Sequence, residues 1–312
     1  VSMRPRRPAP FSKKMQSQRL PRARPPEHGM PRHRSSRVHE PPPLPAGGLS
    51  PLVRMRLEAL YRCYNHREFV HPDPLELLYA YKDPRDREIA GMVASTLAFG
   101  RVSQILNSAG AVLSQLGKPR QALERATRSG LEKAFAGFRH RFVAGRELVD
   151  LLYAVKSITE RWGTLEAAFL DGFQESDETV LAAAERFVSA LRASCGCDVN
   201  YLLPQPERGS ACKRLHLFLR WMIRRDEVDP GGWESIPASK LVCPVDTHMH
   251  RIGRALGFTR RARPDGRCAL EITGALRAAD PADPVRFDFG LTRLGIRRDG
   301  DVAGFIRACG RK

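Results

Sequence analysis

The sequence predicts an all-α protein that carries a basic, Pro/Arg-rich N-terminal tail. Three observations point there. From Leu52 onward apolar residues recur at i, i+3, i+4 and i+7 almost without a break, which is the spacing of one buried helix face. No stretch alternates apolar and polar residues over the length of a strand, and no internal repeat is visible. Gly and Pro fall between the periodic segments, as at Gly117-Lys118-Pro119, where helices stop. The chain has 312 residues and 42% of them are hydrophobic, enough to bury a sizeable core.

In chain order, residues 1–50 hold 11 prolines and almost no periodic apolar residues, so they cannot bury enough surface to fold and are expected to be disordered. Three readings of this tail stay open: a nucleic-acid-binding arm, an Arg-rich transit peptide, or a start placed too far upstream, since the chain opens on Val and Met55 lies at the first helix. Leu52 to Tyr64 has apolar residues at helical spacing. Pro72 to Tyr81 opens on prolines and continues as a short helix. Asp86 to Leu97 is apolar with small residues, the composition of a buried helix, and ends at Phe99-Gly100-Arg101. Val102 to Leu116 is amphipathic. Residues 121–136, 145–160, 164–173 and 178–194 each read as one helix. Gly209-Ser210-Ala211-Cys212-Lys213-Arg214 opens a helix that runs through LHLFLRWMIRR. A short apolar run, Leu241 to Val245, ends on Asp246, and Met249, Ile252 and Leu256 then mark another helix. Phe287 to Ile296 is a core helix with small residues where a neighbour must approach. The total is about a dozen helices.

The net charge is +18, with 52 Lys/Arg against 34 Asp/Glu. Residues 1–50 carry 11 Lys/Arg and 2 Asp/Glu, hence +9, and the other +9 belongs to the remaining 262 residues. The folded part is therefore basic in its own right, which favours a polyanion such as nucleic acid. No apolar run approaches the roughly 18 residues of a membrane helix, and the N-terminus lacks the apolar centre of a secretory leader; both predict a cytoplasmic protein without a membrane partner. Seven cysteines, an odd number, read mostly as reduced thiols; Cys195-Gly-Cys197 is too closely spaced for a C-x-x-C site, so neither metal nor cofactor is expected.

Asp246 stands where a helix N-cap belongs, so orphan amides and the helix dipole would hold its carboxylate. Asp246-x-His248-x-His250 also has the spacing of a metal motif that opens a (β/α)8 barrel. Only 62 residues follow His250 and none is histidine, so neither the barrel nor its later ligands can be supplied. On a helix, His248 and His250 point in different directions and would not share a metal. Phe138-Arg139-His140-Arg141-Phe142 interleaves bases with aromatics before a helix, a pattern suited to phosphate contacts through Arg139 and Arg141 and to stacking. Gly209 and Ser210, followed by the Lys213-Arg214 pair at a helix start, have the makings of an anion site.

Several of these stretches together resemble the helix-hairpin-helix DNA glycosylases, the superfamily of endonuclease III and the adenine and 8-oxoguanine glycosylases. PVDTHMHRIGRALG is similar to the segment whose Asp is the catalytic carboxylate, and Asp246 matches it. Ile89 to Ala98 with Phe99-Gly100-Arg101 resembles the early buried helix and the loop that wedges into DNA. Lys213 to Arg220 resembles the second hairpin helix of the archaeal 8-oxoguanine glycosylases, whose Lys is the nucleophile. Phe287 to Ile296 is similar to the late helix before the iron–sulfur cluster of several relatives. Residues 57–300 as a whole look like an uncharacterised bacterial family in or near the superfamily, with GSACKRL-x-LFLRWM and the D-T-H helix among its signatures. The sequence departs from the pattern in three places. The hairpin before Lys213 keeps one glycine and is longer, Leu203 to Gly209. The gap from Lys213 to Asp246 is stretched by RRDEVDPGGWESIPASK. No four-cysteine cluster follows Ile296.

The resemblance implies a two-lobed helical bundle, with 51–84 plus 255–312 as one lobe and 85–254 as the other. It implies a base-excision-repair glycosylase, possessing AP-lyase activity if Lys213 is its nucleophile, that acts as a monomer on double-stranded DNA containing a damaged base and works at the nucleoid. Asp246 and Lys213 would be catalytic. Gly209, Ser210, Arg214, Phe99, Gly100, Arg101, Arg139, Arg141 and His248 would contact DNA, and Arg214 would help to lower the Lys213 pKa. Trp221, Trp233, Phe99 and His216 are candidates for pocket or wedge groups, with core packing as the plainer alternative. The alternative of a different class is a non-catalytic DNA- or RNA-binding protein on the same scaffold.

Overall fold

Helix N-caps and prolines set most of the element boundaries. The computed structural model describes residues 48–195, 201–297 and 299–311, with the Cys195 side chain excepted; the tail to residue 47 and the Cys195-Gly-Cys197 pair lie outside the described residues. Among them the chain forms thirteen α-helices, five short 3-10 helices and one two-stranded hairpin, a mostly helical protein. Ser50 Oγ accepts from Val53 N (3.2 Å) and Pro51 fills the first position of α1 (Pro51–Tyr64), with Leu49 resting on the core. Asp73 caps a 3-10 helix at Pro74–Ala80, where the sequence predicted a short helix. Asp83 caps α2 (Pro84–Thr96), which is buried without interruption from Glu88 to Thr96. A Cβ on Gly91 of this helix would stand 3.3 Å from the Phe218 ring, so small residues there let another helix come close.

α3 (Val102–Leu116) stops at Gly117, φ +63°. The single helix expected over 121–136 is two, α4 (Pro119–Arg125) and α5 (Arg128–Ala134). Ala126 is extended, and Thr127 Oγ1 accepts from Gly130 N (3.1 Å) to start α5 afresh. The FRHRF stretch, expected simply to precede a helix, forms a hairpin: β1 (Arg139–His140) pairs antiparallel with β2 (Val143–Ala144), and Arg141 turns the chain at φ +55°. α6 (Gly145–Trp162), α7 (Leu165–Leu170) and α8 (Leu181–Cys195) follow. Next come α9 (Lys213–Ile223), α10 (Thr247–Ala255), α11 (Gly266–Ala279), α12 (Phe287–Ile296) and α13 (Val302–Ala308).

Helices α6 and α8 pack together, as do α2 with α9, and α12 with both α1 and α10. Pairs this distant in sequence gather the described residues into one unit. The apolar run Leu241 to Val245 is fully buried but joins no sheet among the described residues. Cys243 N donates instead to Thr273 Oγ1 of α11 (2.9 Å). The segment 224–240, which lengthens the gap between Lys213 and Asp246, is folded against the core. Its Trp233 is 2% exposed and donates from Nε1 to Glu88 Oε2 (3.0 Å) on α2.

Candidate functional site

Two helix starts meet at one ion pair. Lys213 is the first residue of α9 and Asp246 is the N-cap of α10. Asp246 Oδ1 accepts from Met249 N at 2.9 Å, and Oδ2 accepts from Lys213 Nζ at 2.8 Å. One carboxylate therefore caps its own helix and anchors the other across 33 residues of sequence. The pair is only partly withdrawn from solvent, with side chains 35% and 20% exposed. Burial pushes the Asp246 carboxyl up, but the Lys213 charge and hydrogen bond, the Met249 amide and His248 outweigh it. The pKa therefore lies below the usual carboxylate range and Asp246 is ionised at neutral pH. Cys212, just before Lys213, holds the left-handed conformation at φ +43°, a strained choice for a non-glycine residue.

Behind this pair lies a second set of charges that sequence spacing did not reveal. Arg220, two turns on from Lys213, donates from Nε to Asp229 Oδ1 (3.1 Å) and from Nη1 to Asp288. Arg224 bonds Asp229, Asp226 (2.7 Å) and Asp283 (2.9 Å). Arg220, Arg224, Asp229 and Asp288 are all at most 3% exposed. Burial raises the Asp288 pKa; Arg220 opposes that, and the nearby Asp246 charge adds to it. Cys243 Sγ stands 3.7 Å from Asp288 Oδ1.

A surface platform assembles residues from three distant segments. Phe99 follows α2, Phe142 lies at the hairpin turn and Tyr201 precedes α9. Phe99 and Phe142 rings stack at 5.4 Å, and Tyr201 meets Phe142 edge-on at 4.1 Å. Phe142 is 54% and Tyr201 47% exposed. His140 Nε2 donates to the Phe99 carbonyl (3.1 Å), and the Arg141 side chain closes over Gly100, where a Cβ would meet Arg141 Cδ at 2.9 Å. Arg101, Arg139 and Arg141 are exposed around the aromatics. Of the residues expected to contact DNA, this brings together Phe99, Gly100 and Arg141, with Arg101 and Arg139 one residue along the chain. The sequence flagged Phe142 only as part of FRHRF; nothing in it flagged Tyr201, which sits in no periodic pattern.

Other expectations are corrected. Arg214 turns away from Lys213: it donates to the Thr96 carbonyl (2.7 Å) and to Tyr201 O, and its guanidinium lies over the Phe99 (5.1 Å) and Tyr201 (4.8 Å) rings. Neighbours on a helix diverge by about 100°, so Arg214 points to the platform and braces it. At the start of α9, Gly209 N donates to Pro206 O (2.9 Å) and Cys212 N to Ser210 Oγ (3.3 Å), so these two amides are engaged within the chain. His248 and His250 diverge as helix geometry requires. His250 Nε2 donates to Arg261 O (2.9 Å), and His248 lies beside Gly295 of α12. Among the described residues no three His, Cys, Asp or Glu side chains are arranged to hold a metal. Trp221, Trp233 and His216 are buried. No helix among the described residues is long and apolar enough to cross a membrane.

Residues 73–297 match a family model described as "Protein of unknown function (DUF2400)", and the chain belongs to that family. Neither the curated proteins nor the solved structures give a match.

Proposed function

We propose that this DUF2400 member is a DNA base-excision enzyme on a scaffold of the helix-hairpin-helix glycosylase type, with residues 51–84 and 255–312 in one lobe and 85–254 in the other. The observation that carries the reading is the Lys213 Nζ to Asp246 Oδ2 contact of 2.8 Å at two converging helix starts, partly open to solvent. An amine and an ionised carboxylate in contact are the two groups that cleavage of a C1′–nitrogen bond calls for. The Lys213 ammonium of the ion pair gives one proton to the departing base nitrogen, and the freed lone pair adds to C1′. The C1′–nitrogen bond breaks, its electron pair leaves with the base, and the base nitrogen takes up that proton. The sugar carbon gains positive charge on the way, and Asp246 faces that charge, fixed by the Met249 amide so that it needs no reorganisation. That displacement leaves an aminal; as the C1′–O4′ bond opens, a proton of the attacking nitrogen passes to O4′, and the Lys-bound sugar becomes an iminium, from which strand cleavage can follow.

The platform supports the nucleic-acid half of this reading. Exposed Phe142 and Tyr201 offer faces on which a base can stack, and Arg101, Arg139 and Arg141 supply cations for the backbone. Its substrate would be a duplex containing a damaged base, taken out of the stack before reaction. One observation favours a second reading: the Asp246 carboxylate is engaged on both oxygens, so the pair also serves as a tie between α9 and α10 in a protein that only binds nucleic acid. Incubating the full chain with duplexes carrying a panel of oxidised, deaminated and alkylated bases separates the two. Excision predicts an abasic product on at least one duplex, lost in Asp246→Asn. Salt-dependent duplex binding with no abasic product on any lesion would leave the binding protein.

A further inference from the structure

The amine and the carboxylate of the partly exposed pair are carried by segments far apart in the chain. Lys213 opens α9, and Asp246 ends the buried run Leu241 to Val245 before capping α10. Near the surface the two segments are joined by the Lys213–Asp246 contact itself. That contact has to open if the amine is to react, and an opened contact no longer sets the spacing of the two helix starts. The spacing then depends on a second tie, placed where a substrate cannot reach it.

Asp288, on the first turn of α12, supplies that tie. Arg220 lies seven residues after Lys213, and at about 100° per residue the two share a face of α9. Arg220 Nη1 donates to Asp288 Oδ2. Cys243 lies three residues before Asp246, and its Sγ donates to Asp288 Oδ1 at 3.7 Å. Each oxygen of one carboxylate is thus bonded to one of the two segments. Cys243 is held through its backbone as well, its N donating to Thr273 Oγ1 at 2.9 Å. Asp288 also rides on a helix that packs against α10: a Cβ on Gly295 would stand 3.4 Å from both His248 Cβ and Ile252 Cδ1. Asp229 makes a useful contrast. It is as buried as Asp288, but its carboxylate meets Arg220 and Arg224, on α9 and its C-cap, so it braces one segment where Asp288 braces two.

Asp288 is 2% and Arg220 3% exposed, so water and substrate are kept from the tie, and a charged hydrogen bond in such dry surroundings is stronger than one in water. Burial raises the Asp288 pKa and Arg220 counters it. Asp246 and Lys213 then act on it in opposite senses, which puts Asp288 within electrostatic reach of the pair.

We propose that Asp288 is a positioning residue of the Lys213–Asp246 site: without touching substrate, it holds the start of α9 and the Asp246 cap at working distance once the amine has left the carboxylate. The inference rests on the base-excision reading for its reaction, and on the two bonds of Asp288 for its geometry.

Two readouts on the full chain test it. One is the single-turnover rate constant for the borohydride-trapped adduct on a duplex with a preformed abasic site, together with the protein concentration that half-saturates it. The other is the rate at which a succinimidyl ester acylates Lys213 relative to exposed Lys133, followed by mass spectrometry without DNA. Asp288→Ala is expected to lower the trapping rate constant about 10²-fold, as a misplacement of roughly 1 Å does, and to leave half-saturation unchanged. It also speeds acylation of Lys213 as the contact with Asp246 loosens. Cys243→Ala cuts one arm and shifts both readouts in the same directions by less; it carries the test if Asp288→Ala does not fold. Asp288→Asn keeps an acceptor for Arg220 and sets a donor against Cys243 Sγ, so most of the rate returns. Asp229→Asn disturbs a charge equally buried and leaves both readouts as in the parent chain. A purely structural role would lower the yield of adduct in all these variants without changing the rate constant. Parent-like rates and acylation in Cys243→Ala and in folded Asp288→Ala overturn the proposal, as does a fall in Asp229→Asn as large as that in Asp288→Ala. Shifted acylation with no adduct from the parent chain keeps the brace and removes the excision reading; an adduct from the parent with neither readout shifted does the reverse.

Discussion

Two sets of opposite charges lie along α9 and its C-cap, and they differ in one respect that decides their roles. Arg220 and Arg224 are buried with Asp229 and Asp288, and each guanidinium is divided among several carboxylates. Lys213 and Asp246 are partly exposed and joined by one contact. In the buried set burial disfavours the arginine charges, and the surrounding carboxylates overcome it and hold both arginines cationic. Such groups have no freedom to exchange a partner for a substrate. The Lys213 amine can leave its partner for solvent or a ligand more readily, because the pair is only partly buried and is joined by one contact. The same residue types are therefore structural where dry and saturated, and available where wet and singly bonded.

Arg220→Met has the largest expected effect. It strands Asp229 and Asp288 as buried carboxylates and is expected to cost about 3–5 kcal/mol in urea unfolding followed by Trp fluorescence. A cost below about 1 kcal/mol would mean that the buried set is no more structural than the exposed pair.

Glu88 sharpens the comparison from the other side, as a buried carboxylate with no cation in contact. It accepts from Leu165 N (2.9 Å), Glu166 N (3.2 Å) and Trp233 Nε1 (3.0 Å), all of which favour the ionised form. Burial opposes them and prevails, raising its pKa to about 7 from 4.5. The folded chain keeps this proton to about pH 7 while the unfolded chain releases it near pH 4.5. The stability contributed is full below pH 4.5 and is lost as pH rises through 7. Over that window the loss amounts to at most about 3 kcal/mol. Denaturation midpoints measured from pH 4 to 8 should fall on this limb, and Glu88→Gln should flatten it. A limb unchanged in Glu88→Gln would assign it to other groups.

Changes at the partly exposed pair should move stability less than changes in the buried set. Lys213→Gln is expected to cost at most about 1 kcal/mol. Asp246→Asn keeps a capping side chain and should cost a similar amount, while any excision activity falls about 10²–10³-fold. Because the folded Asp246 pKa is lowered, its contribution is present above the unfolded pKa near 3.8 and disappears as pH falls through the folded value. Asp246→Asn should lack that acid limb. A cost of several kcal/mol from Lys213→Gln in thermal unfolding would place the pair with the buried set.

The smallest effect on stability, within about 0.5 kcal/mol, is expected at the platform. Arg139→Ala should reduce the salt dependence of duplex binding by a slope of about 0.9, as one phosphate contact would. An unchanged slope would remove Arg139 from the interface.

The helices were legible where local rules decide them. α3 runs over Val102–Leu116 as its periodicity predicts, and Asp246 caps α10 as its position before Met249 and Ile252 suggests. The split at Ala126-Thr127 was not legible, because apolar spacing continues across it and only the Thr127 cap interrupts the ladder. The hairpin at FRHRF was hidden because two residues per strand are too few to show alternation. The Lys213–Asp246 contact could be anticipated only from resemblance, since 33 residues separate the two. Arg220 and Asp288 lie 68 residues apart and Tyr201 belongs to no pattern, so both the buried charges and one of the platform's three rings depend on tertiary packing that spacing does not encode.

Chemical availability of its amine is what sets Lys213 apart from the buried arginines. Sodium borohydride trapping of the full chain on a duplex with a single abasic site tests it most directly. A covalent protein–DNA adduct is expected with the parent chain and disappears in Lys213→Gln, a variant whose unfolding midpoint stays within a few degrees of the parent's. No adduct with the parent chain, or an undiminished adduct in Lys213→Gln, would contradict it.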